Sequence, residues 1–226
     1  MEQNMNDAKL TIALAKGRLA EDTVKILEAA GMDCACLNDD SRKLVLTDEK
    51  SGTRFIMVKP TDVPVYVDHG VADIGVAGKD TLLEADLSVY EMVDLKIARC
   101  RICVASYPNP KQSLTSSILR VATKYPNIAK KYYSGKGETI EIIKLNGSIE
   151  LAPILGLSDV IVDIVESGRT LKENGLFVTE EIAKASARLI VNRVSLKTKP
   201  EIISPLIERV KNVIKERENN GSNENL

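Results

Sequence analysis

Two carboxylates and a small, hydroxyl-bearing turn stand together in the stretch DVIVDIVESGRTLKENGL (159–176). A run of apolar β-formers carries Asp163 and Glu166. It passes through Ser167-Gly168-Arg169-Thr170 and then takes up helical spacing. In an open α/β sheet, ligands bind where strands end and helices begin. Small residues expose backbone N–H groups at such a turn, and a helix start attracts anions. Ser167 and Thr170 add hydroxyl donors and Arg169 a fixed positive charge, a set that suits a phosphate. The carboxylates are acceptors, suited to sugar hydroxyls or to a magnesium ion. Phosphate on the turn and hydroxyls on the acids describe a ribose 5-phosphate lying along a strand end. The plain alternative is an ordinary strand–helix turn, with Ser167 as cap and both acids solvated.

Other chemistries find less support. The sole histidine, His69, precedes Gly70 near an expected helix end, so catalysis by a histidine pair is excluded. The four cysteines fall as Cys34/Cys36 and Cys100/Cys103. The second pair has CxxC spacing, but KIARCRICVAS alternates as a strand does, and side chains three apart on a strand point to opposite faces. Small buried hydrophobes in a reducing compartment are the expected role. No GxxxxGK[ST] phosphate loop is present, and SGKGET ends a helix.

The elements that must position the acids alternate. LTIALAK reads as a strand, and GRLAEDTVKILEAAG as a helix with Leu19, Thr23, Ile26, Leu27 and Ala30 on one face. RKLVLTD and TRFIMVK read as strands, TDVPVYVDHG as a capped helix, and VADIGVAG as a buried strand. KDTLLEAD opens a helix with Thr81 and Glu84 spaced as a capping box. LRVATKY, TIEIIKL and LSDVIVDIV then supply strands, with helices at PNIAKKYYSGKG and NGSIELAPILG. Gly70-Val71-Ala72-Asp73-Ile74 matches Gly156-Leu157-Ser158-Asp159-Val160, which points to a duplicated lobe. The fold class expected is α/β, two lobes with mainly parallel sheets and ligands at strand C-termini facing a cleft. LKIARCRICVAS would carry the chain across and SARLIVNRVSL back. The helix PEIISPLIERVKNVIKER, with its stripe Ile203, Leu206, Ile207, Val210 and Val213, would pack on the first lobe. This gives lobe I as 1–98 completed by 185–217, lobe II as 99–184, and a frayed tail at 218–226.

Composition sets outer bounds. The chain has 226 residues, 31 basic and 32 acidic, for a net charge of -1. Such a balance carries no nucleic-acid or membrane footprint. No apolar run approaches the ~20 residues of a membrane helix. The start MEQNMNDAKL has no export pattern, so the expected compartment is the cytoplasm. An exported solute-binding protein should carry such a signal. A ligand-sensing domain would usually be fused to a DNA-binding helix-turn-helix, and neither end leaves room for one.

An apolar strand with acids leading into small-Gly-x-Thr resembles a phosphoribosyl-diphosphate (PRPP) loop. Taken with LAKGRL, SRKL, DVPVYVDHGVADIGVAGKD, LNGSIELAPILGLSD and VESGRTLKENGL, the chain resembles the ATP phosphoribosyltransferase family from about Leu10 to Leu196. The resemblance implies a fold similar to type II periplasmic binding proteins. It implies condensation of ATP with PRPP, the first step of histidine biosynthesis, with Mg2+ offsetting diphosphate charge. Carried over residue by residue, Asp163 and Glu166 hold the ribose hydroxyls, and Ser167, Gly168, Arg169 and Thr170 the 5-phosphate. Arg18 and Arg42 are the catalytic arginines, because guanidinium matches phosphate geometry. Lys16 and Gly17 approach the nucleotide, and Asp73 either does the same or caps structure. Without the resemblance Arg42 reads as a surface charge beside Lys43. Lys59 and Lys144 are basic cleft residues or solvated ends. Another phosphoribosyltransferase, with a base or amide acceptor, is the second enzymatic reading. The length resembles the family's short form, which implies a histidyl-tRNA-synthetase-like regulatory subunit and a homodimer within a hetero-oligomer.

Overall fold

The computed structural model describes residues 9–38, 42–108 and 118–223. Ser41 of SRKL, the first eight residues and the last three of the expected tail lie outside the described residues. The elements run β1 (Leu10–Ala15), α1 (Arg18–Ala29), a 3-10 turn (Ala35–Asn38), β2 (Val45–Asp48), β3 (Thr53–Val58), α2 (Val63–Asp68), β4 (Ile74–Gly78), α3 (Lys79–Ala85), β5 (Tyr90–Asp94) and β6 (Cys100–Ser106). They continue as β7 (Leu119–Thr123), α4 (Pro126–Gly135), β8 (Ile140–Lys144), α5 (Leu151–Ile154), β9 (Val160–Val165), α6 (Arg169–Glu173), β10 (Phe177–Ala185), β11 (Ala187–Val191), α7 (Arg193–Thr198) and α8 (Pro200–Asn223). Two compact units result. The first takes the chain up to Leu82, Asp86–Ala98 and the chain from Ser186 onward; the second takes Leu83–Ala85 and Arg99–Ala185.

The first unit's sheet has the order β2-β3-β1-β4-β11-β5. At its centre β3, β1 and β4 are parallel, and β2 and β11 flank them antiparallel. One face packs Ile12, Leu14, Phe55 and Ile74 against Ile26 and Leu27 of α1 and against Ile203, Leu206, Ile207 and Val210 of α8. The 3.6-residue stripe foreseen on α8 is thus core. On the other face Val63 and Val67 of α2 press on the sheet. A Cβ at Gly75 would come within 2.7 Å of Val67 and 2.8 Å of Val63, so this close approach requires glycine.

The second unit's sheet has the order β10-β6-β9-β7-β8. It repeats the plan: β8, β7 and β9 are parallel, and β6 lies antiparallel on β9 as β11 does on β4. The matched motifs act alike. Asp73 N–H donates to Thr11 C=O at 2.8 Å, and its carboxylate accepts from Thr11 N–H at 2.8 Å. Asp159 N–H donates to Arg120 C=O at 2.9 Å, and its carboxylate accepts from Arg120 N–H at 2.9 Å. Each aspartate clamps the first rungs of its central parallel pair.

Asp159 also binds the Arg120 guanidinium, with Nη2 to Oδ1 at 2.8 Å. This contact and the backbone N–H bond hold the Asp159 carboxyl below the usual carboxylate range, against the opposing effect of burial. A depressed folded-state pKa adds stability that is complete above about pH 4 and is lost as pH falls through the folded value. Asp159→Asn should therefore lower the neutral-pH melting temperature by several degrees and flatten the acid limb of the stability curve. Thermal melts from pH 3 to 7 check this.

Local differences from the sequence reading have physical causes. Glu84 does not cap its own helix. Its carboxylate accepts from Asn127 N–H at 3.0 Å and Ile128 N–H at 3.1 Å, capping α4. The strand expected across 95–106 is interrupted before β6, because Lys96 and Ala98 are left-handed at φ 58° and 49°. SARLIVNRVSL also divides: Asn192 Oδ1 accepts from Val194 and Ser195 N–H, both at 2.9 Å, and starts α7. Strands β5 and β10 were unforeseen, since both carry acids on exposed positions. Helix α8 continues to Asn223, into the stretch expected to fray.

Candidate functional site

The acids stand where β9 outruns its partner. The β7–β9 ladder pairs Val121 with Val160, Ala122 with Ile161 and Thr123 with Val162, and there it stops. On the other side β6 continues, pairing Cys103 with Asp163, Ile102 with Ile164 and Arg101 with Val165. Residues 163–165 therefore form an overhang that is strand-paired with β6 past the end of the β7 ladder. Ile161 and Val165 anchor it in the core. Alternation sets Asp163 on their side of the strand, half-buried, with Oδ1 accepting from Ile164 N–H at 2.8 Å. Glu166 is exposed just beyond.

The turn follows directly. Gly168 adopts φ 76°, a left-handed conformation that strains any side chain, and it precedes the first residue of α6. No side chain caps this helix start. Ser167 Oγ lies 3.4 Å from Arg169 N–H, at the long limit of a hydrogen bond. Arg169 is exposed and paired with Glu173 at 2.8 Å. Ser167 and Thr170 are exposed as well. The second unit thus gathers Asp163, Glu166, Ser167, Gly168, Arg169 and Thr170 in one stretch. Its hydroxyls and backbone donors stand on a turn whose N-cap residue, Gly168, has no side chain, with Ser167 Oγ in one long contact to a helix amide.

In the first unit, Lys16, Gly17 and Arg18 follow the C-terminal end of β1. Gly17 takes φ 102°, and the 12-residue α1 begins at Arg18 without a side-chain cap. Lys16 and Arg18 are exposed. An uncapped helix start beside two cations suits an anion. β2 runs antiparallel to β3, and Leu44 C=O accepts from Met57 N–H at 2.8 Å. Exposed Arg42, two residues earlier, therefore nears the C-terminal end of β3, as does Lys59 just after Val58.

Asp73 stands apart from this group. It precedes β4 beside Thr11, at the opposite end of the parallel strands from Lys16. It is 5% exposed, and it accepts from Ser195 Oγ at 2.6 Å and Lys199 Nζ at 2.9 Å besides Thr11. Its carboxylate is committed to structure, and of the two roles open to it in the sequence the cap is the one the geometry fits.

Cys100 and Cys103 both lie in β6, Cys103 buried, and none of the four cysteines is in a disulfide. Burial raises the Cys34 thiol to about 12, which leaves it protonated and inert. Among the described residues no three His, Cys, Asp or Glu side chains gather as a metal cage. No helix among them is long and apolar enough to cross a membrane. Sequence reasoning missed Thr123. This residue is fully buried, and its hydroxyl donates to Val162 C=O at 2.6 Å and accepts from Tyr125 N–H at 2.8 Å. A threonine in a strand reads as an ordinary β-former, so nothing in LRVATKY marks it.

The chain is similar to known proteins over most of its length. A family model described as HisG, ATP phosphoribosyltransferase, matches residues 59–212. An ATP phosphoribosyltransferase from Caldanaerobacter subterraneus subsp. tengcongensis is 56% identical over 205 residues, covering 91% of this chain and 97% of that protein. One from Lachnoclostridium phytofermentans is 55% identical over 210 residues, covering 92% and 98%. A solved ATP phosphoribosyl transferase (HisG:HisZ) complex from Thermotoga maritima aligns with TM-score 0.79 and 38% identity, over 92% of this chain and 98% of that one. The substrate binding protein of an amino acid ABC transporter aligns with TM-score 0.55 at 14% identity, covering 94% of each chain; that likeness is one of fold alone. With a family model spanning well over half of its residues and relatives more than half identical, the chain belongs to the ATP phosphoribosyltransferase family.

Proposed function

We propose that this chain condenses ATP with PRPP to give N1-(5-phosphoribosyl)-ATP and diphosphate, the first step of histidine biosynthesis. The observation that carries the reading is the β9 overhang, which delivers Asp163 and Glu166 to an uncapped small-residue turn. The new bond joins adenine N1 to ribose C1 as the bond from C1 to the diphosphate oxygen breaks. Positive charge develops on the ribose and negative charge on the departing oxygen. The protein's work is positioning and electrostatic stabilisation.

In this reading Asp163 and Glu166 accept from the ribose hydroxyls. The amides of Ser167–Thr170, the hydroxyls of Ser167 and Thr170, and Arg169 hold the 5-phosphate. Lys16, Gly17, Arg18 and Arg42 take the ATP phosphates or the departing diphosphate. Mg2+ offsets the diphosphate charge when bound. Mg2+ keeps several waters and takes one or two carboxylates plus substrate phosphates. Asp163 and Glu166 fit that modest demand, and a protein cage is not needed. The reading places the enzyme in the cytoplasm, with no nucleic-acid or membrane partner.

The chain also acts as the catalytic half of an assembly, a homodimer joined to a histidyl-tRNA-synthetase-like regulatory subunit. Support comes from its likeness to the Thermotoga maritima chain solved as a HisG:HisZ complex, 98% of which it spans. Feedback by histidine needs a second site coupled to the first by differential contacts in two states. We expect histidine to inhibit only when the partner is present, by several-fold or more, as couplings of about 1–3 kcal/mol give. Initial rates against histidine, for the lone chain and for the reconstituted complex, check this; strong inhibition of the lone chain would contradict it.

The reaction itself is tested by incubating the chain with PRPP and ATP, alone and with the partner, and following product mass and diphosphate. One equivalent of diphosphate per phosphoribosyl-ATP is expected. Transfer to a free base or amide instead of ATP would overturn the assignment.

A further inference from the structure

We propose that Thr123 is a positioning residue for PRPP: its buried hydroxyl ends the β7–β9 ladder and fixes the overhang that carries Asp163 and Glu166. The proposal rests on the reading that these carboxylates hold the ribose.

The geometry begins where the β7–β9 ladder ends. Past the Thr123–Val162 rung, β7 leaves the sheet and turns into α4. Tyr125 is the residue before that helix, and Pro126 has no N–H to offer. The Val162 carbonyl, one residue before Asp163, lies at this last rung and takes a side-chain hydroxyl donor. Thr123 Oγ1 supplies it at 2.6 Å and in turn accepts from Tyr125 N–H at 2.8 Å. The backbone carbonyl of Thr123 accepts from Leu145 N–H at 3.0 Å, tying the same residue to the end of β8. Thr123 is 0% exposed, so solvent does not replace the hydroxyl. One side chain therefore sets where β9 parts from β7, and β6 holds the departing segment from the other side.

The duplicated plan supplies an internal control. By register, Ile12 and Ile74 of the first unit correspond to Val121 and Val160 of the second. Thr123 then corresponds to Leu14, Val162 to Val76, and Asp163 to Ala77. Where no acid follows, the bridging position is a buried leucine. The hydroxyl accompanies the carboxylates, not the fold.

The test compares Thr123→Val, which keeps the shape and removes the hydroxyl, with Thr123→Ser, which keeps the hydroxyl. A small misplacement of catalytic groups lowers activity by orders of magnitude. Thr123→Val is expected to raise KM for PRPP about ten-fold while KM for ATP stays within about two-fold, and Thr123→Ser to restore the PRPP value. A merely structural role would lower the melting temperature and the active fraction but leave KM for PRPP unchanged; that result, or failure of Thr123→Ser to restore it, overturns the proposal. If Thr123→Val does not fold, Thr123→Cys, a weak donor, should raise KM for PRPP by a smaller factor, and an unchanged value counts against the proposal. Asp163→Asn separates the two levels. Undiminished PRPP binding by Asp163→Asn would refute the underlying site. Loss of binding there, with normal KM for PRPP in Thr123→Val, would refute only the role of Thr123.

Discussion

Arg18→Ala is expected to lower turnover by tens-fold or more, about 2–4 kcal/mol, which is typical for loss of one donor aimed at developing charge. The residue is exposed and opens α1 directly after the central strand β1. The preceding Gly17 takes φ 102° and offers no capping side chain, so the first-turn amides of α1 beside Arg18 suit an anion in the proposed site. Arginine binds phosphate oxygens in a bidentate fork that lysine does not reproduce. The melting temperature should stay within about 2 °C, because an exposed position away from the core contributes little to folding. Steady-state kinetics with both substrates, together with a thermal melt, provide the check. Unchanged turnover with intact PRPP binding would return Arg18 to an ordinary surface charge.

Gly168→Val should weaken PRPP binding by about a hundred-fold, as expected when one or two hydrogen bonds to an ionised phosphate are lost. Two effects act together. Gly168 holds φ 76°, which a β-branched residue adopts only with strain, so the turn must reshape. In the proposed site the new side chain also stands where the backbone would meet the phosphate. Thr170→Ala, milder, removes one hydroxyl donor and should cost about 1–3 kcal/mol of PRPP affinity if it leaves a phosphate oxygen unpaired. The core contacts of β9 through Ile161 and Val165 are untouched, so both variants should fold. Calorimetric titration with PRPP measures the losses, and wild-type affinity in both variants would remove the turn from the site.

Much of this arrangement was legible in the sequence because its signals are local. The α8 stripe gave the correct buried face, since 3.6-residue spacing survives any tertiary context. The Gly-x-x-Asp repeat at Gly70 and Gly156 marked true counterparts, because each aspartate must clamp the start of a parallel pair. What escaped depends on partners distant in sequence. Glu84 has capping-box spacing, yet it caps α4, more than 40 residues on. Asp73 and Asp159 look alike, but only Asp73 meets Ser195 and Lys199 from the returning chain. Thr123 is invisible as a motif, because its importance comes from a strand ending beside it. The break at Lys96 and Ala98 carries no glycine to announce its left-handed residues. The acids and the turn form a local pattern that could be read directly, whereas the Thr123 bridge at the end of the β7–β9 ladder could not.

The most direct test is a crystal structure of the chain with PRPP bound. The 5-phosphate is expected within about 3 Å of the amides of residues 168–170 and of Thr170 Oγ1, and the ribose hydroxyls on Asp163 and Glu166. A ribose phosphate bound elsewhere, with the turn and both carboxylates left to solvent, would contradict this expectation.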